Sequence, residues 1–78
     1  MDAKTIEMNN EVVRQGAEHM LQQLRSEGLR YRIWVTGTDR GSTVHIRSAG
    51  LTPEMRDRIF NVLRGQAVIL DVEDEKHG

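Results

Sequence analysis

The stretch LRYRIWVTGTDRGSTVHIRS, residues 29–48, predicts two β-strands joined by a turn. Apolar and polar residues alternate on both sides of the turn, which is typical of strands with one face in a core. The first strand, predicted over 29–36, has a core face of Leu29, Tyr31, Ile33 and Val35 and an opposite face of Arg30, Arg32 and Trp34. The second strand, predicted over 42–48, adds to that opposite face Thr43, His45 and Arg47. The stretch therefore predicts a hairpin with a basic and aromatic outer face.

The turn TGTDRGS determines how these two strands pair. We expect a loop over 38–41, with Asp39 bonding the local backbone and with Gly37 and Gly41 at positive φ. Because core residues must face core residues, paired positions sum to an odd number. The expected pairs are Val35 with Val44, Ile33 with Ile46, Trp34 with His45, and Arg32 with Arg47.

A helical period precedes the hairpin. This first helix is predicted to begin at Thr5, Asn9 or Asn10 and to end at Glu27, with Gly28 as a left-handed C-cap. The face that it turns to the core is predicted to contain Ile6, Asn10, Val13, Ala17, Met20, Leu21 and Leu24.

A second helix follows the hairpin in LTPEMRDRIFNVLRG, residues 51–65. Thr52 is the expected N-cap, Pro53 the first helical residue and Gly65 the end. Phe60 lies at the edge of a buried stripe that comprises Met55, Ile59, Val62 and Leu63. A last strand is predicted over 66–72, with Val68, Leu70 and Val72 toward the core and Ala67 and Ile69 on the outer face.

The predicted fold class is α+β, a two-layer sandwich in the order α-β-β-α-β with two helices on one face of a three-stranded mixed sheet. A right-handed crossover would make the last two strands parallel. We expect the strand order 2-1-3, because the first strand alternates most strongly, with 1-2-3 as the alternative. Residues 1–72 are predicted to form one domain, and residues 73–78, EDEKHG, a disordered acidic tail.

The amino-acid composition restricts the expected cellular location and the expected class of binding partner. The sequence contains no cysteine, which excludes disulfides and thiolate sites and favours a reducing, cytoplasmic location. The first residues do not match a secretion signal, and no apolar run is long enough to span a bilayer. The net charge is −1, although residues 25–64 hold eight arginines against four acidic residues. This excess is far below that of a typical DNA-binding domain.

The sequence contains little that suggests reaction chemistry. The three histidines lack partners at metal-ligand spacing, so we expect neither a metal nor a cofactor. Ser42, Ser48, His45 and Asp39 lie near one another, but a domain this small is expected to have little room for a pocket. We therefore expect a protein that is not an enzyme and has no small-molecule substrate.

The exposed face of the sheet is the candidate site. Its predicted partner-binding residues are Arg30, Arg32, Trp34, His45, Arg47 and Ile69. Tryptophan and arginine are typical of binding hot spots, which favours a protein partner or a second copy bound by edge pairing or face packing. Two alternatives stay open: single-stranded RNA or DNA bound through the same face, and a structural cation–π arrangement in which arginines cover Trp34.

A secondary contact is predicted on the second helix, at Arg56, Phe60 and Arg64, with packing at the edge of the core as its alternative. The function predicted from the sequence is that of a small regulatory, protein-binding module of the adaptor or inhibitor type.

Overall fold

The fold consists of three helices and a three-stranded mixed sheet, which confirms the predicted α+β class. The structure is a computed structural model and describes residues 2–73. Its elements are α1 (Ala3–Met20), α2 (Gln22–Ser26), β1 (Arg32–Thr38), β2 (Gly41–Ala49), α3 (Pro53–Val62) and β3 (Ala67–Glu73). Glu73 thus belongs to a strand, and the rest of the predicted acidic tail, residues 74–78, lies outside the described residues.

The first predicted helix is divided in two at Leu21. This residue has φ −88° and ψ −1°, but its N–H still donates to the carbonyl of Ala17 and its carbonyl still accepts from Arg25, both at 2.9 Å. The predicted start was wrong, because the N-cap is Asp2, whose Oδ1 accepts the N–H of Thr5 at 2.8 Å. A carboxylate placed before the first turn satisfies an otherwise free N–H and suits the helix dipole.

The helix ends follow the capping residues. Gly28 has φ +107°, and the N–H of Leu29 behind it donates to the carbonyl of Leu24 at 3.0 Å, so the predicted glycine C-cap is confirmed. Thr52 caps α3, since its Oγ1 accepts the N–H of Met55 at 3.1 Å. The α3 helix ends at Val62, earlier than the predicted Gly65.

The sheet has the order β1-β2-β3, so the expected order 2-1-3 was wrong and its alternative is observed. β1 runs antiparallel to β2, and β3 runs parallel to β2. The strong alternation of apolar and polar residues in β1 indicates that one face of this strand is buried. It does not indicate that β1 has a neighbouring strand on each side. The connections on either side of α3, residues 50–52 and 63–66, are short, and consecutive strands so connected most often lie side by side.

The hairpin register is the predicted one. Val35 lies opposite Val44 and Trp34 opposite His45, and the ladder continues through Thr38 and Gly41. The remaining pairs that were predicted, and that are observed, are Ile33 with Ile46 and Arg32 with Arg47.

The hairpin loop is shorter than predicted and contains two residues, Asp39 and Arg40. Thr38 rather than Asp39 bonds the local backbone, because its Oγ1 accepts the N–H of Arg40 at 3.0 Å. Gly41 has the expected positive φ, +148°, but Gly37 does not. Gly37 lies within β1, where the side chain of Asn10 occupies the space that a Cβ would need.

The core forms a single layer between the helices and one face of the sheet. The fully buried side chains are Leu21, Leu24, Val44, Ile46 and Ile59. They come from both ends of the chain, so the helices share one face of the sheet as predicted. Met20, Val62 and Val72, which were assigned to the core, are exposed. Val72 is 53% exposed because it lies near the end of an edge strand, with no described strand beyond it.

One buried polar contact closes the end of the sheet where β1 begins. The Ser48 hydroxyl donates to the carbonyl of Arg30 at 2.6 Å, although Arg30 lies before the first paired residue of β1. Ser48 is buried, and a buried hydroxyl is stabilising only while it keeps such a partner.

Replacing Ser48 with alanine should lower the free energy of unfolding by about 1 kcal/mol, because the hydrogen bond from the buried Ser48 hydroxyl to the Arg30 carbonyl is lost. Urea denaturation followed by circular dichroism measures the change. Ser26→Ala is the matched control, since its hydroxyl bonds the carbonyl of Gln23 at an exposed site where water can replace it. Equal losses in both variants would contradict a special role for Ser48.

An ion pair joins the end of α2 to α3. Arg58 donates from its two terminal guanidinium nitrogens, Nη1 and Nη2, to the carboxylate of Glu27, with 3.0 Å between Nη2 and Oε2. The hydrogen bond from Arg58, with a smaller one from Gln23, holds the pKa of Glu27 below its usual value of 4.5. A carboxyl whose pKa is lower in the folded protein stabilises it above pH 4.5 and loses that effect as the pH falls through the folded pKa.

Glu27→Gln should therefore lower the melting temperature slightly at pH 7, and the difference from the parent protein should vanish in acid. The pair lies at the surface, so 1 M salt should also reduce the difference. Thermal denaturation between pH 2 and 7 tests this, with Glu7→Gln as the control, since Glu7 forms no ion pair with any residue from 2 to 73. If the difference in melting temperature between Glu27→Gln and the parent protein did not change with pH, the charge of Glu27 would not be the source of its effect.

Candidate functional site: the outer face of the sheet

The helices leave the other face of the sheet open, and the strand register arranges its side chains in three rows. We call this surface the outer face. Its aromatic row contains Trp34, His45 and Ile69. Its charged row contains Arg32, Arg47 and Asp71. Its threonine row contains Thr36, Thr43 and Ala67. Each row crosses all three strands, so residues far apart in sequence become neighbours.

The aromatic row is held in one arrangement by two contacts. The Trp34 and His45 rings are stacked, with 5.2 Å between centroids and 4° between planes. The Nε2 atom of His45 forms a hydrogen bond with Oγ1 of Thr36 at 2.8 Å, which fixes the second ring from the other side. The rings therefore present a preformed surface instead of two independently mobile side chains.

The aromatic row is also accessible. Trp34 is 39% exposed and Ile69 is 48% exposed, although both residue types usually avoid water. The cation–π contact found among residues 2–73 is that of Arg25 over the ring of Tyr31, at 5.1 Å. The alternative in which arginines cover Trp34 is therefore wrong, and the indole instead contacts His45.

The charged row has an excess of positive charge. Arg32 lies directly opposite Arg47, and like charges in that position destabilise an antiparallel pair. Asp71 is the lateral neighbour of Arg47 on β3. Neither arginine forms an ion pair with any residue that the structure describes. Both guanidinium groups are thus available to carboxylates or phosphates of a binding partner.

The structure brings together five of the six predicted site residues. Arg32, Trp34, His45, Arg47 and Ile69 all lie on the outer face. The sixth, Arg30, is exposed but precedes β1.

The wrong strand order also changed the expected neighbours. Ile69 lies beside His45, not beside Trp34, which puts Trp34 at one edge of the sheet and Ile69 at the other. Sequence reasoning missed Thr36 and Asp71 as members of the site. Both occupy alternate positions of their strands, so the period-two pattern that found Trp34 could have found them.

The secondary contact lies in the other layer of the fold. Arg56, Phe60 and Arg64 recur every four residues along and just beyond α3. Phe60 is 42% exposed, so it does not pack at the edge of the core. Phe60 and Arg64 border a shallow depression of about 530 Å³ together with Asp57, Arg58 and Asn61.

Among residues 2–73, no group of three or more histidine, aspartate or glutamate side chains is placed to hold a metal ion. No helix in the described part of the chain combines the length and the apolar character needed to cross a membrane. Comparisons with protein-family models, with curated protein sequences and with solved structures found no match.

The stack between Trp34 and His45 predicts an energetic coupling between these two residues. In a double-mutant cycle of Trp34→Ala and His45→Ala, we expect about 0.5 to 1 kcal/mol of coupling in the free energy of unfolding. A cycle of Trp34→Ala and Phe60→Ala is the control and should be additive, since these rings lie on opposite sides of the sheet. No coupling between Trp34 and His45 would mean that the rings move independently.

Proposed function

We propose that this chain is a small, non-enzymatic protein-binding module of the adaptor or inhibitor type that acts through the outer face. The observation that carries the proposal is the exposed aromatic row, in which Trp34 and His45 are already stacked. Tryptophan, tyrosine and arginine dominate the binding energy of protein interfaces. Trp34 with Arg32 and Arg47 supplies two of these three residue types in adjacent rows.

The aromatic row is conformationally ordered, which supports the proposal that a partner binds a preformed surface. Each mobile side chain that becomes ordered on binding reduces the binding free energy by about 0.5 to 1.5 kcal/mol. His45 is fixed by both Trp34 and Thr36, so little of this cost remains at the centre of the site.

The charges of the outer face indicate the chemistry of the partner. Arg32 and Arg47 offer two guanidinium groups, and Asp71 one carboxylate. A complementary protein would place an apolar side chain on the aromatic row and carboxylates against the two arginines. We therefore propose an acidic partner surface with an apolar anchor. The proposed function requires no metal, cofactor or small-molecule substrate. The proposal includes a cytoplasmic location, which the absence of cysteine favours.

Site-specific photo-crosslinking tests the proposal in the cells that make the protein. A photoreactive amino acid replaces Thr43, which lies on the outer face of the central strand. The control position is Val12, which is exposed on α1. We expect a protease-sensitive adduct from position 43 but not from position 12. Adding Trp34→Ala or Arg47→Glu should abolish this adduct, whereas Met8→Ala, at an exposed position on α1, should leave it intact.

Three outcomes overturn the proposal. If positions 43 and 12 gave the same adducts, or if position 43 gave none, the outer face would have no specific partner. A nuclease-sensitive adduct would show that the outer face binds nucleic acid. An adduct of twice the chain's mass would identify face-to-face packing of two copies in place of an acidic partner.

Single-stranded nucleic acid is a second candidate, supported by the direct opposition of Arg32 and Arg47, which places two positive charges beside an exposed indole. Two observations weigh against it. His45 already occupies one face of the indole, and Asp71 brings a negative charge into the charged row.

Nucleic-acid binding predicts that single-stranded RNA or DNA quenches the Trp34 fluorescence and that affinity falls as salt rises. Because Trp34 is the only tryptophan, the signal reports this site alone. We expect unchanged fluorescence in titrations at 50 and 200 mM salt. Quenching that weakens at the higher salt concentration would favour nucleic acid over a protein partner.

A further inference from the structure

The β3 strand forms an edge of the sheet with exposed apolar residues on both of its faces. Ile69 belongs to the outer face and Val72 to the helix face, and these two side chains are 48% and 53% exposed. A partner bound to the outer face alone would cover Ile69 but leave Val72 in water. The shared property of the two residues is their position on the free edge of the sheet.

The first four residues of this edge lack the usual protection against strand pairing, and the charged residues of β3, Asp71 and Glu73, come only at its end. Natural edge strands carry lysine, proline, a bulge or an inward-pointing charge. Four consecutive apolar residues, Ala67 to Leu70, begin β3, and its register with β2 is unbroken. The other edge, β1, begins with Arg32, contains Gly37 and has a shorter apolar run, Ile33 to Val35. Thus β3 is the better template for an added strand.

We propose that two copies of this chain pair through β3, antiparallel and about a two-fold axis, with Ile69 beside Ile69 of the second copy. The two sheets then join into one of six strands, with both helical layers on the same side. A second copy fits this edge because the same sequence supplies both halves of a symmetric strand pair.

The residues of β3 distinguish between the possible registers. A pair centred on Asp71 would place two carboxylates directly opposite each other, which is destabilising. A pair centred on Leu70 would place Ile69 beside a carboxylate. The pair centred on Ile69 places Val68 against Leu70 of the second copy and leaves Asp71 beside an alanine. Of these three registers, it is the one that places Val68 against Leu70 and separates the like charges.

This dimer would extend the outer face. The aromatic row of each copy ends at Ile69, so pairing there joins the two rows into one band with a Trp34 at each end. The use of this band by a partner rests on the proposed function, whereas the pairing itself does not. One strand edge is smaller than the roughly 800 Å² that each partner buries in a standard interface, so we expect a reversible dimer.

Sedimentation equilibrium over a range of concentrations tests the pairing. We expect a monomer–dimer equilibrium in the parent protein, and Ile69→Lys should raise its dissociation constant at least tenfold by placing a charge on the edge. Val12→Lys is the matched control, since it introduces lysine at an exposed apolar position on α1 and should leave the equilibrium unchanged. A parent protein that stays monomeric overturns the proposal. Loss of the dimer in Trp34→Ala with retention in Ile69→Lys also overturns it, because that pattern indicates face packing.

A cysteine crosslink tests the register and does not depend on the stability of the lysine variant. The chain has no cysteine, so Ile69→Cys introduces a single thiol. Directly opposed residues of an antiparallel pair have Cα atoms about 4.5 to 5.5 Å apart, which a disulfide spans. We expect rapid disulfide-linked dimers from Ile69→Cys and slow ones from Val12→Cys. Equal rates would show that collisions alone form the bond. Neither assay uses a partner protein, so their failure leaves the outer-face adduct, and the proposed function, to be judged separately.

Discussion

The structure depends on β2, the one strand that is bonded on both sides. Its side chains alternate between a face that packs against the helices and a face that no helix of the described chain covers. Val44 and Ile46 become fully buried, while His45 between them lies on the outer face. Because the helices lie on one side only, every second side chain of the sheet faces away from them, toward solvent or a binding partner.

The outer face combines order with unsatisfied binding capacity. The stack of Trp34 on His45, and the bond from His45 to Thr36, hold the aromatic row in place. The neighbouring Arg32 and Arg47 repel each other and have no carboxylate partner among the described residues. A fold optimised for stability alone would not place like charges in direct opposition. This arrangement is the basis of our proposal that the outer face binds a partner.

Much of this site follows from local patterns. The alternation in β1 and β2 and the short turn predict the register, and with it the opposition of Trp34 to His45. The neighbour of Ile69 could not be obtained in the same way, because it depends on which strand β3 joins. Alternation shows that one face of a strand is buried, but both sheet orders bury the same faces. The exposure of Met20 and Val72 likewise depends on where the helical layer ends.

The sequence by itself determined the order of helices and strands, the caps at Gly28 and Thr52 and the hairpin register, because these depend on interactions between residues close along the chain. Only the tertiary structure decided that β2 is central, that Ile69 lies beside His45 and that β3 forms an edge of the described sheet. These features depend on how the chain returns over the sheet after α3. Side-chain periodicity carries no information on that path, because both paths give the same pattern of buried and exposed residues.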